Sequence, residues 1–177
     1  MFALGVLLGF LAKYTDGTDI GLIGSYLGFW ILTTTIIGVW SRSPGAASLH
    51  SFIFLASMLI TYYLYSTMLF GFFPKQYFIA WGSIALLSPI GGYVVWHARG
   101  NGWFAAFCAS LPIGILFAEG YSFFYTFLPA RGIDIAFAIS LWIILPRNSI
   151  QRIRTLLLAF VVMFAAESLG LLYLLPG

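Results

Sequence analysis

This chain carries five acidic residues, Asp16, Asp19, Glu119, Asp134 and Glu167, in a sequence that is 62% hydrophobic and 7% charged. Two of them stand inside apolar runs, Glu119 in "FAEGYSFFY" and Glu167 in "AAESLG". An ionisable side chain at membrane depth costs about 2.5 to 3.5 kcal/mol on insertion scales, so it faces the bundle interior, a partner or water. Carboxylates held among aromatic faces suit an organic cation or a planar, hydrogen-bonding ligand, through charge pairing and cation–π attraction. Tyr121 and Tyr125 follow Glu119 closely, and Tyr62 and Trp81 flank a polar break on the same side of the hydropathy pattern. Glu119, Glu167, Tyr121, Tyr125, Trp81 and Tyr62 are therefore the expected ligand-binding set. The competing reading has each Glu neutralised by burial or paired with Lys13, Lys75 or Arg131, and serving helix packing alone.

The other charges near that face read as rim or ion-pair groups: Lys13, Asp16, Asp19 and Asp134. Three of these fall in "GFLAKYTDGTDIG", Gly9 to Gly21. Lys13 there suits the negative end of a helix dipole, Asp16-Gly17 supplies a turn, and Thr18 or Asp19 caps the next helix. Asp134 is expected in an outer loop.

No set of residues calls for catalysis or a metal. His50 and His97 stand alone, without an HExxH motif or a Cys/His cluster, and "DGTD" lacks the alternating oxygens and distal Glu of a calcium loop. The sequence has no GxSxG, Walker, GxGxxG or CxxC motif. Neither a cofactor nor a metal is expected, and binding is favoured over enzymatic function. The single cysteine, Cys108, lies in an apolar run and reads as core filler.

The elements that must position these residues follow from hydropathy. A mean hydropathy of +1.01 lies far above that of soluble domains. Breaks at charges, Pro and Gly divide the chain into Phe2 to Ala12, Ile20 to Trp40, Ala47 to Phe73, Tyr77 to His97, Trp103 to Tyr125, Ile133 to Leu145 and Thr155 to Leu175. The fold class is all-α: a polytopic transmembrane bundle of six to seven helices, the first and sixth short, forming a single domain over residues 1–177. A spanning helix needs about 20 apolar residues, which leaves no room for a soluble domain. The first residues lack the basic start and cleavage site of a secretory signal, so Met1 onward reads as mature sequence.

Arg42, Arg99, Arg147, Arg152 and Arg154 fall on one side of this topology, and Lys13, Lys75 and Arg131 on the other. The Arg-rich side is expected to be cytoplasmic in a multi-pass protein of the cell membrane. Trp40, Trp96, Trp103 and Trp142 mark that boundary as an interface belt. The acids and a group of aromatics (Tyr14, Tyr26, Tyr62, Tyr63, Tyr65, Tyr77, Trp81, Tyr121, Tyr125 and Tyr173) collect toward the opposite, outer half. Small-xxx-small pairs at Gly5/Gly9, Gly17/Gly21 and Gly24/Gly28 allow close helix approach, and Ser88, Pro89, Gly91 and Gly92 mark a kink able to line a cavity.

The run "YYLYSTMLFGFFPKQYFIAW" together with "SRSPGAA" resembles a family of small multi-helix bacterial membrane proteins whose domain is of unknown function. In size and hydropathy the chain is also similar to the substrate-binding subunits of energy-coupling-factor vitamin transporters. That similarity implies a six-helix bundle with its ligand toward the outer face and a docking surface of small residues on the first helix, here Gly5 and Gly9. The expected partners are the lipid bilayer, a small-molecule ligand, and a membrane partner subunit or a second copy, with no nucleic acid. The leading expectation is binding or transport of a small solute in an outward-facing pocket with buried carboxylates. A non-catalytic partner subunit comes second, and a lipid-modifying enzyme third.

Overall fold

The computed structural model describes residues 1–18, 21 and 26–170, so Asp19, Gly24 and Tyr173 lie outside the described residues. Its helices are α1 (Phe2–Tyr14), α2 (Leu27–Val39), α3 (Pro44–Phe70), α4 (Lys75–Trp96), α5 (Gly102–Gly120), the short α6 (Phe123–Thr126), α7 (Pro129–Ile144) and α8 (Ser149–Ser168), with a 3-10 turn at His97–Arg99. The fold is all-α. The helices α3, α4 with its 3-10 extension, α5 with α6, and α8 are long and apolar enough to cross a membrane, whereas α1 and α2 are shorter apolar helices. The 13 residues of α1 reach only about 20 Å against a hydrocarbon core of about 30 Å.

Local chemistry explains the ends. Ser43 accepts a hydrogen bond from the Ala46 amide at 3.1 Å and Pro44 opens α3, where a missing N–H costs nothing. Gly71, at φ +72°, closes α3 in the left-handed conformation that a glycine adopts without strain. Asn148 caps α8 by accepting from the Gln151 amide at 2.8 Å. The sixth apolar segment, helix α7, begins at Pro129, earlier than hydropathy suggests, because Pro at the first position sets its φ. Arg131 and Asp134, expected in a loop, are thereby helical.

The bundle is built as two halves joined by α2. In one, α3 packs against α1 and α4; in the other, α5 packs against α7 and α8, and α2 touches both. The first half surrounds a buried cluster of large side chains, including Trp30, Phe54, Leu55 and Met58. The second is built on small residues and aliphatics, including Cys108, Ala109, Ile113, Leu116, Ala138 and Ala159. Gly5 and Gly9 seat α1 on α3 so closely that a Cβ at either would lie 2.0 Å from Ser57 Oγ or 2.4 Å from the Met58 carbonyl oxygen. The glycine face of the first helix is therefore spent on packing within the chain.

Successive helices alternate in direction and define two ends. At the Arg-rich end Trp96 donates to the Ser41 carbonyl at 2.9 Å, Arg99 lies 4.9 Å from the Trp40 ring centre, and Arg154 lies 5.0 Å from that of Trp103. Trp142 donates to the Arg152 carbonyl at 3.0 Å, so the four belt tryptophans gather at one end. His50 meets Ser41 at 2.9 Å and His97 meets the Tyr93 carbonyl at 3.0 Å, each in a local hydrogen bond.

Candidate functional site: an aromatic cavity around Lys13

At the opposite, Tyr-rich end the last turn of α1 meets the last turns of α3. Lys13, expected as a rim or ion-pair residue, is buried there. Its ammonium contacts Asp16 Oδ2 at 2.6 Å and lies 5.2 Å from the Tyr62 ring centre and 4.8 Å from that of Phe70. The Tyr62 hydroxyl reaches Asp16 Oδ2 at 3.4 Å. Burial of a lysine is tolerated where a carboxylate pairs with it and aromatic faces replace part of its hydration.

Lys13 forms part of the wall of a cavity of about 380 Å³, together with Trp30, Met58, Leu59, Tyr62, Tyr63, Ser66, Phe70, Phe72, Pro74, Tyr77 and Trp81. That volume falls within the range of about 300 to 1,000 Å³ typical of small-molecule sites. Rings from α3 and α4 order the wall: Tyr62 and Tyr63 meet edge to face at 5.3 Å, and Tyr63 meets Phe78 at 5.5 Å. A second cavity, of about 430 Å³, continues from it along the bundle, sharing Trp30, Met58, Leu59 and Trp81 and running between α2, α4 and α5. Ser88 and Gly91 of the expected kink line this second cavity, as does Pro112 of α5.

Of the expected ligand set, Tyr62 and Trp81 line the first cavity, and Trp81 the second as well. Glu119, Glu167, Tyr121 and Tyr125 line neither of these two cavities. Glu119 pairs instead with Arg131 across the turn from α5 to α7, the packing alternative that the sequence allows. Arg131 also donates to the Glu119 carbonyl at 3.3 Å. Tyr121, just past the end of α5, and Tyr125 of α6 meet edge to face at 5.4 Å, both exposed.

Two placements differ from expectation. Glu167 is exposed in the last turn of α8 rather than turned into the bundle. The buried stripe of that helix runs Gln151, Thr155, Ala159, Met163 and Ala166, and Glu167 lies one residue off its end. Asp134 is 2% exposed in α7, not in a loop, with its Oδ1 lacking a hydrogen-bond partner among the described residues. It presses against α2 at Gly28, where a Cβ would come within 1.9 Å of Oδ1. Only the absence of a side chain at Gly28 admits it.

Residues 1–176 of the 177 match the family described as Family of unknown function (DUF6518). The chain belongs to this family. Comparison with curated proteins finds no match, and comparison with solved structures finds none either. Nothing links this family member to energy-coupling-factor subunits.

Sequence reasoning passed over Trp30 and undervalued Lys13. The signal for Trp30 was its place in the middle of the apolar run Ile20 to Trp40, where a tryptophan must find packing inside the bundle. For Lys13 the signal was weaker, because a lysine at a helix end is also an ordinary solvated residue. Among the described residues no group of three or more His, Cys, Asp or Glu is placed to hold a metal.

Proposed function

We propose that this membrane protein binds a small solute in the aromatic cavity at its Tyr-rich end, with Lys13 meeting the ligand's negative charge. One observation carries the reading: the charged side chain in the cavity wall is a buried cation, while its partner Asp16 is not part of that wall. Sequence alone favours a cationic ligand held by carboxylates; the position of Lys13 argues for an anionic one. A lysine ammonium has three N–H donors, and Asp16 takes one of them at 2.6 Å. The remaining donors face rings, which a ligand carboxylate or phosphate oxygen can replace with a stronger, charge-assisted bond. Trp30, Trp81, Tyr62 and Tyr77 supply an apolar wall for the rest of the molecule. With the Arg-rich end cytoplasmic, the cavity faces outward.

The test is thermal unfolding of the reconstituted protein against a panel of small aromatic carboxylates. A ligand present at a hundred times its Kd stabilises by about 2.7 kcal/mol. A saturable rise in Tm is expected, absent in Lys13→Met and retained in Glu119→Gln. A panel without effect, or an equal rise in Lys13→Met, would sink the proposal.

A further inference from the structure

The two cavities are neighbours of opposite chemistry. The first holds Lys13; the second is walled almost wholly by aliphatic and aromatic side chains of α2, α3, α4 and α5. Trp30, Met58, Leu59 and Trp81 border both, so they form one path rather than two isolated holes. Leu87 and Ile90 line the second cavity and are also 62% and 65% exposed on the outside of α4, which means that it opens sideways, toward lipid. Gly91, next to Ile90 and one turn after Leu87, lines the same cavity and leaves open space: a Cβ built there meets no atom within 4 Å. An opening to lipid beside a buried cation has the shape and polarity of an amphipath.

We infer that the ligand is an anionic amphipath, with its carboxylate or phosphate head at Lys13 and a single hydrocarbon chain laid in the lateral cavity between α2, α4 and α5. This rests on reading the Lys13 cavity as a binding site, and it adds the chain and the route of entry. A polar solute would gain nothing from the second cavity, whereas a hydrocarbon chain passes from lipid into it without crossing water. The head then replaces the ring contacts of Lys13 with charge-assisted hydrogen bonds, which are worth most where water is excluded.

The experiment uses the full-length protein in detergent and reads bromine quenching of its tryptophan fluorescence. The probes are dibromostearate, a brominated stearyl phosphate and a brominated stearyl alcohol, with 2-naphthoate, read by Tm, as a short anionic control. Dibromostearate is expected to quench saturably. Lys13→Met weakens its binding about tenfold or more and leaves the alcohol unchanged, as loss of a charge-assisted bond requires. Asp16→Asn tightens the acid several-fold by freeing Lys13 from its competitor. Gly91→Phe, which fills open space and leaves the fold intact, weakens stearate and alcohol alike and spares 2-naphthoate. Preference for the stearyl phosphate over stearate would support the inference and name the head. Equal stearate binding in wild type and Gly91→Phe, or in wild type and Lys13→Met, overturns it. If 2-naphthoate binds and stearate does not, the amphipath fails while the solute site stands; if neither binds, both fail.

Discussion

The two ion pairs among the described residues, Lys13–Asp16 and Glu119–Arg131, are mirror images. In the Lys13–Asp16 pair the cation is buried and the acid open, with side chains 9% and 37% exposed; in the Glu119–Arg131 pair the acid is the inner member, at 14%, and the arginine the outer, at 35%. Which member is buried fixes the sign of the charge that each half of the bundle offers to its interior. The half around α3 offers a cation to an aromatic cavity. In the half around α5, the acid is turned toward the helix that carries its own partner. Their packing differs in the same sense. Small side chains let α5, α7 and α8 close on each other, as at Gly120, where a Cβ would stand 3.0 Å from the Arg131 carbonyl oxygen. Around α3 the large rings of Trp30, Tyr62, Tyr63 and Trp81 hold helices apart and leave the cavities between them.

The contrast breaks most readily at α1. Gly9→Leu drives a side chain into the Met58 backbone and should cost about 3 kcal/mol, the upper range for overpacking. Because α1 carries Lys13, ligand response should disappear with it. A wild-type Tm in Gly9→Leu would show that α1 does not depend on this seat. Glu119→Gln is the sharper probe, since it separates stability from binding. Removing one charge of a pair whose partner is one-third exposed should lower stability by about 1 kcal/mol, well below the cost for a fully buried pair, with no change in ligand affinity. Loss of affinity in that variant would join the two halves into one site. The smallest effect belongs to Glu167→Gln. Exposed in the last turn of α8, it should leave stability within about 0.5 kcal/mol and binding unaltered.

The helices themselves were largely legible, because apolar runs of spanning length admit one solution in lipid, a helix whose backbone bonds are made internally. The short first and sixth elements were legible for the same reason. The start of α7 was not, since hydropathy breaks at Arg131 and opens the segment at Ile133, whereas Pro129 begins the helix upstream of both. Of the candidate site, the place of Tyr62 and Trp81 in the aromatic half is legible, and Lys13 reads as a rim or ion-pair group rather than as a cavity wall. Glu167 was misplaced because "AAESLG" does not show which side of its helix faces inward, and the stripe from Gln151 to Ala166 settles that only when followed turn by turn.

Composition and periodicity thus determined the class of the molecule: a helical membrane bundle, its turns, its tryptophan belt and the end at which tyrosines collect. Those properties follow from transfer free energies and helix geometry, which act residue by residue and are written locally in the chain. The tertiary structure decided which charge faces which space. The ammonium of Lys13 and the carboxylate of Glu119 lie at the same end of the bundle. Their roles diverge because Arg131 arrives beside Glu119 from α7, while α3 and α4 bring rings and an open cavity to Lys13. The burial of a charge depends on neighbours distant in sequence, and a count of residue types along the chain carries no record of them.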